Sequence, residues 1–185
     1  MVDISRLATQ LTRPLCDALP SFHALTGCDY TASFMRKAKW KPFKIMRASD
    51  KFTTAMSRLG ECEVIDPDVA ATVEEYLCVV YGVNNITNLD EVRLHLFWKL
   101  YAPKEKTDPL KKIKAADPCC LPPCKWVLEQ KLRRTNFVAF VWKNATKANP
   151  VEFGPDGHGW EISPDKLTIV WYTLHRRKCA KMPVD

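Results

Sequence analysis

The feature that most constrains the fold is the stretch DPDVAATVEEYLCVVYG, residues 66–82, which carries the signals of an amphipathic helix. Asp66 is a typical N-cap, Pro67 suits the first helical turn and Gly82 suits a helix end. Five apolar side chains recur between them at helical spacing: Val69, Val73, Tyr76, Leu77 and Val80. A helix with one apolar face is stable only when that face is packed, so this stretch predicts a fold built by helix packing.

The rest of the chain has similar signals, separated by proline, glycine and polar stretches. Asp3 is predicted to cap a helix that Pro14 ends, and Pro20 predicts a break before a short helix over 20–27. The stretches GWEI and KLTIVWY, joined by SPD, alternate apolar and polar residues and predict a β-hairpin. Further helices are predicted over 39–48, over 51–60 after a cap at Ser49 or Asp50, over 88–101 after a cap at Asn88, and from Pro122 to about Thr146.

These signals predict a mainly α fold, a small multi-helix assembly with a C-terminal β-hairpin. A length of 185 residues is typical of one domain. We divide the chain into a helical region, a Pro- and Lys-rich connection, a long helix with the hairpin on the same core, and a basic tail. Their ranges are 1–101, 102–121, 122–175 and 176–185.

Composition limits the classes of protein to which this chain can belong. No apolar run approaches the roughly 18 residues that a membrane span needs, so we expect no membrane partner. The N-terminal stretch lacks the basic and then apolar layout of a signal peptide, and the eight cysteines are scattered, which favours reduced thiols inside the cell, in the nucleus or cytoplasm. The net charge of +7 permits contact with nucleic acid and also suits an ordinary solvated surface.

Asp29 and the basic run after it form the main candidate site. Residues 30–49 hold six basic side chains and no acidic one: Arg36, Lys37, Lys39, Lys41, Lys44 and Arg47. A carboxylate at a helix end can ligate Mg²⁺, and a helix N-terminus with nearby lysines can bind phosphate, while Trp40 offers a ring for stacking. The alternatives are that Asp29 is a turn residue bonded to backbone amides and that the basic run is a solvated face.

The sequence around Asp29 resembles a known family. LTGCDYTASFMRKAKWKPFKIM is similar to the helix–hairpin–helix region of flap-endonuclease-type 5′ nucleases, whose fold joins a PIN-like catalytic domain to this DNA-clasping motif. The resemblance places Asp29 on the family's metal-ligand position and Tyr30 on the following aromatic position. Arg36 and Ala38 fall on the two hairpin glycines.

A second resemblance extends over nearly the whole chain. It rests on LCDALPSFHALTGCDYTASF, on LPPC with RRTNFVAFVWKNA, and on HGW before KLTIVWY, in that order. These segments resemble uncharacterised animal proteins that have PIN-like, flap-endonuclease-related domains and often occur in mobile-element-like contexts. The resemblance implies that this chain corresponds to the carboxyl half of such a protein.

Two departures from the family limit what the resemblance implies. The family builds its metal site from several acidic residues, most of them ahead of the Gly-x-Asp-Tyr element, whereas Asp3 and Asp17 fall at a helix cap and within a helix. One carboxylate does not hold two ions, so we expect no catalytic residues and no cofactor, with Mg²⁺ only if the nuclease interpretation holds. Arg36 and Ala38 also lack the backbone freedom of glycine.

We therefore expect a nuclease-derived, catalytically incomplete chain that binds DNA or RNA backbone weakly through residues 36–47. One alternative is a protein-interaction or scaffolding domain with no nucleic-acid role. Another is part of an active Mg²⁺-dependent 5′ nuclease whose acidic half is missing from this chain.

Other candidate residues have weaker patterns. Cys119, Cys120 and Cys124 suggest zinc, with His158, His175 or Cys179 completing the set, but the chain has no Cys-x-x-Cys pair. The alternative is that Cys124 begins a helix and packs inwards. His23 lies beside Cys28 on an apolar helical surface, which predicts a core histidine.

Overall fold

The computed structural model describes residues 3–101 and 117–172, apart from the side chain of Tyr101. This part of the chain is mainly helical, with a two-stranded antiparallel hairpin near its C-terminal end, as predicted. The helices are α1 (Ile4–Gln10), α2 (Arg13–Thr26), α3 (Trp40–Arg47), α4 (Asp50–Arg58), α5 (Pro67–Val80), α6 (Leu89–Tyr101) and α7 (Lys125–Asn144). A short 3-10 turn, Pro118–Cys120, precedes α7, and the strands are β1 (Trp160–Ser163) and β2 (Lys166–Ile169). None of the described helices combines the length and apolar composition that crossing a bilayer requires.

The N-caps predicted from sequence are confirmed by their hydrogen bonds. The Asp3 carboxylate accepts from the Arg6 amide at 3.0 Å, and the Asp66 carboxylate accepts from the Asp68 amide at 2.8 Å. The Asn88 side chain caps α6 in the same way, and the Ser49 hydroxyl caps α4. Each cap satisfies an amide that has no partner within its helix, so local sequence fixes where these helices begin.

The predicted break at Pro20 is wrong, as is the predicted helix end at Pro14. Pro14 lies in the first turn of α2, where its missing amide hydrogen costs nothing, and α2 continues through Pro20 to Thr26. Pro20 removes one hydrogen bond from the interior of the helix. The burial of apolar side chains on both sides of it outweighs that loss: Leu15, Ala18, Phe22 and Leu25.

The other predicted helix and strand boundaries fall close to the observed ones. Two predicted segments, the connection and the basic tail, lie mostly or wholly outside the described residues. Helix α7 begins at Lys125, three residues after the predicted start, because Cys124 is its N-cap. Most of the predicted connection, 102–116, and the predicted basic tail lie outside the described residues.

The main core lies between α2, α4 and α5, and buried residues of α3, α6 and α7 complete it. The predicted apolar stripe of α5 is buried along its whole length, and the Tyr76 hydroxyl donates to the Pro42 carbonyl of α3 at 3.0 Å. A smaller cluster, formed by Ala24, Val138 and Trp160, joins α2 to α7 and the hairpin. Helix α2 therefore packs on α4 and also on α7.

Helix α7 contacts the end of α4 through polar side chains. The Lys143 ammonium donates to the Leu59 carbonyl at 2.7 Å and also to the Ser57 carbonyl. The buried Asn136 side chain accepts from the Gly60 amide at 2.7 Å and donates to the Cys62 carbonyl at 2.8 Å. These bonds satisfy backbone groups that the end of α4 leaves without helical partners.

The same helix holds the hairpin and the segment after α2. The Arg134 guanidinium donates to the Gly159 carbonyl at 2.9 Å and to the Val170 carbonyl at 2.6 Å, at the two sides of the hairpin. The Lys131 ammonium donates to the Ala32 carbonyl and lies 4.6 Å from the centre of the Phe34 ring. Polar side chains of α7 therefore position both regions.

The hairpin presents one apolar face. Trp160 pairs with Ile169 and Ile162 pairs with Leu167, which places these four side chains on the same face of the two-stranded sheet. Trp160 is buried, whereas the other three are exposed. The predicted alternation is confirmed, and it leaves apolar surface beside α7.

Gly60 allows the chain after α4 to lie against the backbone of α7. Its φ is +78°, and a Cβ there would lie 2.6 Å from the Phe140 nitrogen and 2.7 Å from the Ala139 carbonyl carbon. Gly157 has nearly the same φ, +75°, but nothing lies within 4 Å of a Cβ placed on it. The two glycines therefore have nearly the same backbone conformation, but only at Gly60 would an added Cβ clash with another segment.

We expect Gly60→Ala to lower the free energy of unfolding by at least 2 kcal/mol more than Gly157→Ala, an order-of-magnitude figure for a backbone clash in a packed region. Both variants carry the cost of a left-handed alanine, about 1 kcal/mol, so that term cancels. Urea denaturation of both proteins measures the difference. Equal losses would show that α7 does not lie against residue 60.

Burial gives Lys131 an unusual pH dependence. Desolvation, followed by the charge of Arg134, lowers the pKa of Lys131 to about 8 from 10.5. Between these values the unfolded chain binds more protons at this residue than the folded chain. The contribution of Lys131 to the free energy of unfolding therefore rises with pH across this window.

We expect wild-type protein to gain up to about 3 kcal/mol of stability relative to Lys131→Met between pH 7 and pH 10.5. The variant lacks the bond to the Ala32 carbonyl at every pH. A change with pH in the stability difference between the two proteins therefore reports the titration of Lys131 alone. Urea denaturation of both proteins at several pH values provides the measurement. A difference that does not change with pH would contradict the buried position of this ammonium.

Candidate functional site

Asp29 and Tyr30 occupy the tip of a tight turn directly after α2. The Cys28 amide donates to the Thr31 carbonyl at 3.0 Å, and the Thr31 amide donates back to the Cys28 carbonyl at 3.3 Å. The Thr31 hydroxyl donates to the Ala24 carbonyl, which fixes the turn to the end of α2. Asp29 and Tyr30 are both exposed.

The Asp29 carboxylate makes no hydrogen bond or ion pair with any residue in ranges 3–101 and 117–172. Asp29 is therefore a turn residue, as one sequence interpretation expected, but without the expected bonds to backbone amides. Within the same ranges, no group of three or more His, Cys, Asp or Glu residues is placed to hold a metal ion. The role of metal ligand stays a prediction.

The predicted basic run divides into two groups. Lys37 and Lys39 contact other parts of the protein, whereas the basic residues of α3 point away from the core. The Lys39 ammonium donates to the Gly27 carbonyl at 2.6 Å and lies 2.5 Å from the Nδ1 atom of His23. Lys37 is half-buried, with its ammonium 4.5 Å from the centre of the Tyr81 ring. Lys39 therefore caps the C-terminal end of α2, and Lys37 packs on an aromatic ring.

The three basic residues of α3 and one tryptophan lie on one exposed side of the helix, which we call the α3 basic face: Trp40, Lys41, Lys44 and Arg47. These positions project to one side at helical spacing, while Pro42 and Met46 on the opposite side are buried. No acidic residue in the described ranges pairs with Lys41, Lys44 or Arg47. This face therefore keeps its positive charge.

Positive charge continues from the α3 basic face towards Lys37 and Arg36. Burial, and then the charge of Lys41, lowers the pKa of Lys37, which shows that these two ammonium groups lie near each other. The Arg36 guanidinium lies 3.5 Å from the Asp117 carboxylate in an exposed ion pair. Such a pair contributes little to stability and leaves the guanidinium accessible.

Arg36 has the backbone conformation that glycine would adopt at its position. Its φ is +56°, and it is the only non-glycine residue with positive φ in the part of the chain that the structure describes. The Lys37 amide donates to the Phe34 carbonyl at 3.1 Å, which closes a turn around Met35 and Arg36. The sequence predicted that an arginine here would lack the backbone freedom of glycine, but Arg36 adopts a left-handed conformation within this turn.

His23 is not the core histidine that its helical phase predicted. It is exposed, and its ring stacks on the Trp142 ring with 5.6 Å between centres. Partial burial and then the charge of Lys39 lower the pKa of His23, while the charge of Asp29 raises it, and the Nδ1 atom of His23 lies beside the Lys39 ammonium. The contact with α7 lies far along the chain, which is why periodicity within α2 did not indicate it.

A groove beside Asp29 is the feature that sequence reasoning missed. We call it the Asp29 groove, and its volume is about 640 Å³. Its walls come from the turn, from α7 and from the apolar face of the hairpin, three segments distant in sequence. The signal that pointed towards it was the set of apolar residues on the hairpin without an assigned partner. The lining residues are Asp29, Tyr30, Phe137, Val138, Val141, Trp142, Pro155, Trp160, Leu167 and Ile169.

The cysteines that suggested zinc do not form such a site within the described residues. Cys119 lies in the 3-10 turn, where its amide donates to the Asp117 carboxylate at 2.9 Å. Cys124 begins α7, as predicted, and His158 packs between aromatic rings, 4.8 Å from that of Phe153. His175 and Cys179 lie outside the described residues.

We expect Arg36→Gly to be more stable than Arg36→Ala by about 1 kcal/mol, because only glycine adopts this φ without steric cost. Both variants lose the ion pair with Asp117 equally, so the comparison isolates the backbone. Thermal or urea unfolding of the two variants measures it. If the alanine variant were the more stable, the left-handed turn at residue 36 would be disproved.

Comparison with known proteins gives this chain no relative from which a function can be taken. No family model, no curated protein and no solved structure matches it. The similarity to flap-endonuclease-type proteins therefore stays a prediction from sequence segments, and function has to be argued from the described geometry.

Proposed function

We propose that this chain binds nucleic-acid backbone weakly and without sequence preference through the α3 basic face. The observation that carries the proposal is an indole ring, Trp40, which is 64% exposed and is flanked on the same helix face by three cations that pair with no acidic residue in the part of the chain that the structure describes. An exposed indole ring offers a face on which a base can stack, and cations surrounding it favour an anionic ligand.

The charges of this face suit phosphates. Lys41, Lys44 and Arg47 project from one side of a two-turn helix, with Lys37 and Arg36 beside its N-terminal end. Side chains of this kind neutralise phosphates and release counterions, which gives affinity that falls steeply with salt. Phosphate contacts of this type carry no sequence information, so the expected binding is non-specific.

Trp40 adds a surface on which an unpaired base can stack. Its ring lies nearly parallel to that of Phe43, with 6.1 Å between centres, which supports it from the side of the core. The Lys44 ammonium lies 4.9 Å from the centre of the Trp40 ring. A long lysine side chain can move from the ring to a phosphate when a base stacks there, so the pair suits single-stranded nucleic acid.

The resemblance to flap-endonuclease-type proteins agrees with this choice of surface. In that family the helix–hairpin–helix region grips duplex backbone, and here α2, the turn at 34–37 and α3 follow in the corresponding order. The left-handed conformation at Arg36, on the family's glycine position, supports the same assignment. We therefore propose a nuclease-derived helix–hairpin–helix-like region that acts in binding, and we assign it no catalytic step.

A protein-interaction role is the second candidate, and one observation favours it. The hairpin leaves Ile162, Leu167 and Ile169 exposed beside the Asp29 groove. Apolar surface of this kind is typical of interaction sites. This role requires no nucleic acid. The two candidate functions therefore predict different results when DNA is titrated at low salt: binding for the first and no binding for the second.

We expect labelled single-stranded DNA to bind at low salt, with the logarithm of affinity falling at a slope of about −2 against the logarithm of salt if three phosphates are neutralised. Lys41→Glu with Lys44→Glu should abolish this binding, because it reverses two of the three charges. Trp40→Ala should weaken single-stranded binding more than duplex binding. Fluorescence anisotropy at two salt concentrations, on single-stranded and duplex DNA, measures all three.

The matched control is Lys147→Glu with Lys166→Glu, which changes the net charge equally at exposed positions outside α3. It should retain most of the affinity. An equal loss in both double variants would assign binding to net charge alone. The absence of binding at low salt would remove the proposal and favour protein interaction.

A further inference from the structure

We infer that the Asp29 groove binds a small organic cation with an aromatic or alkyl body. Two observations point to this ligand: the Asp29 carboxylate at the groove makes no hydrogen bond or ion pair with any residue that the structure describes, and the rest of the described lining is aromatic or aliphatic. The inference concerns a second site, distinct from the α3 basic face.

Charge selects the sign of the ligand. Among the described lining residues, Asp29 is the only carboxylate and the Tyr30 phenol is the only other ionisable group. The Lys39 ammonium donates to the Gly27 carbonyl and lies beside His23, and it makes no ion pair with Asp29. A cationic group that enters the groove therefore meets a carboxylate that makes no hydrogen bond or ion pair within the described residues.

Aromatic rings select the kind of cation. Tyr30, Phe137, Trp142 and Trp160 all line the groove, and the faces of such rings attract cations. The Trp142 ring also stacks on His23, which holds the indole ring in place at the groove. An organic ammonium near Asp29 can thus contact the carboxylate and an aromatic ring at the same time. A strongly hydrated metal ion is less suited to contact with the ring.

Size and shape favour a small molecule over a metal ion. A volume of about 640 Å³ falls within the usual range for small-molecule sites. The apolar face of the hairpin contributes Leu167 and Ile169, which can cover the body of the ligand. Mg²⁺ prefers several oxygen ligands, and this lining supplies one carboxylate among apolar side chains.

The test uses two probes of nearly equal shape, 3-phenylpropylammonium and the neutral 3-phenylpropanol, titrated into the full chain. Two-dimensional NMR of the tryptophan indole groups should show shifts at Trp142 and Trp160 and none at Trp40. We expect the ammonium probe to bind about tenfold more tightly than the alcohol. We also expect Asp29→Asn to remove most of that preference while leaving the binding of the alcohol unchanged.

Asp165→Asn is the matched control, because Asp165 is another exposed carboxylate in a turn, at the tip of the hairpin. It should leave the preference intact, as should Lys41→Glu with Lys44→Glu, which keeps this test independent of nucleic-acid binding. Equal affinity for the two probes would show an apolar groove without selectivity for cations and would overturn the inference. Shifts confined to other tryptophans, or an Asp29→Asn variant that keeps the preference, would also overturn it.

Discussion

The described structure depends on side chains of α7 that bind backbone groups of other segments. Lys143 and Asn136 hold the end of α4, and Arg134 holds both sides of the hairpin. A buried backbone carbonyl or amide without a hydrogen-bond partner lowers the stability of the fold. These bonds therefore stabilise the packing of α7, because an entirely apolar helix face would leave the same backbone groups without partners. Gly60 makes the arrangement sterically feasible, because it lets the chain lie against the α7 backbone.

This use of polar side chains changes the meaning of the net charge of +7. Lys39, Lys131, Arg134 and Lys143 donate to backbone carbonyls, and their charges are therefore partly committed to holding segments together. The cations left without such contacts on α3 lie next to an exposed indole ring, where a surface of positive charge suits phosphates. Charge counted from composition does not distinguish these two uses.

The two proposed sites use different residues of the segment that follows α2. Asp29 and Tyr30 line the Asp29 groove, where Trp142 stacks on His23. The turn at Arg36 leads into the α3 basic face. The carboxylate and the basic run that stand close in sequence thus belong to different surfaces, one mostly apolar and one cationic, which suit different ligands.

The sequence by itself determined the elements whose signals are local. The caps at Asp66 and Asn88, the stripe of α5 and the alternation of the hairpin depend on neighbouring residues, and each appears in the structure. Only tertiary structure decided that α2 continues through Pro20, that Arg36 adopts a left-handed conformation, and that a groove forms beside Asp29. These outcomes involve contacts between segments distant in the chain, such as Ser21 with Leu59, 38 residues apart, and Arg36 with Asp117. Periodicity, capping and spacing carry no information about such contacts, because their energies arise only when the helices pack.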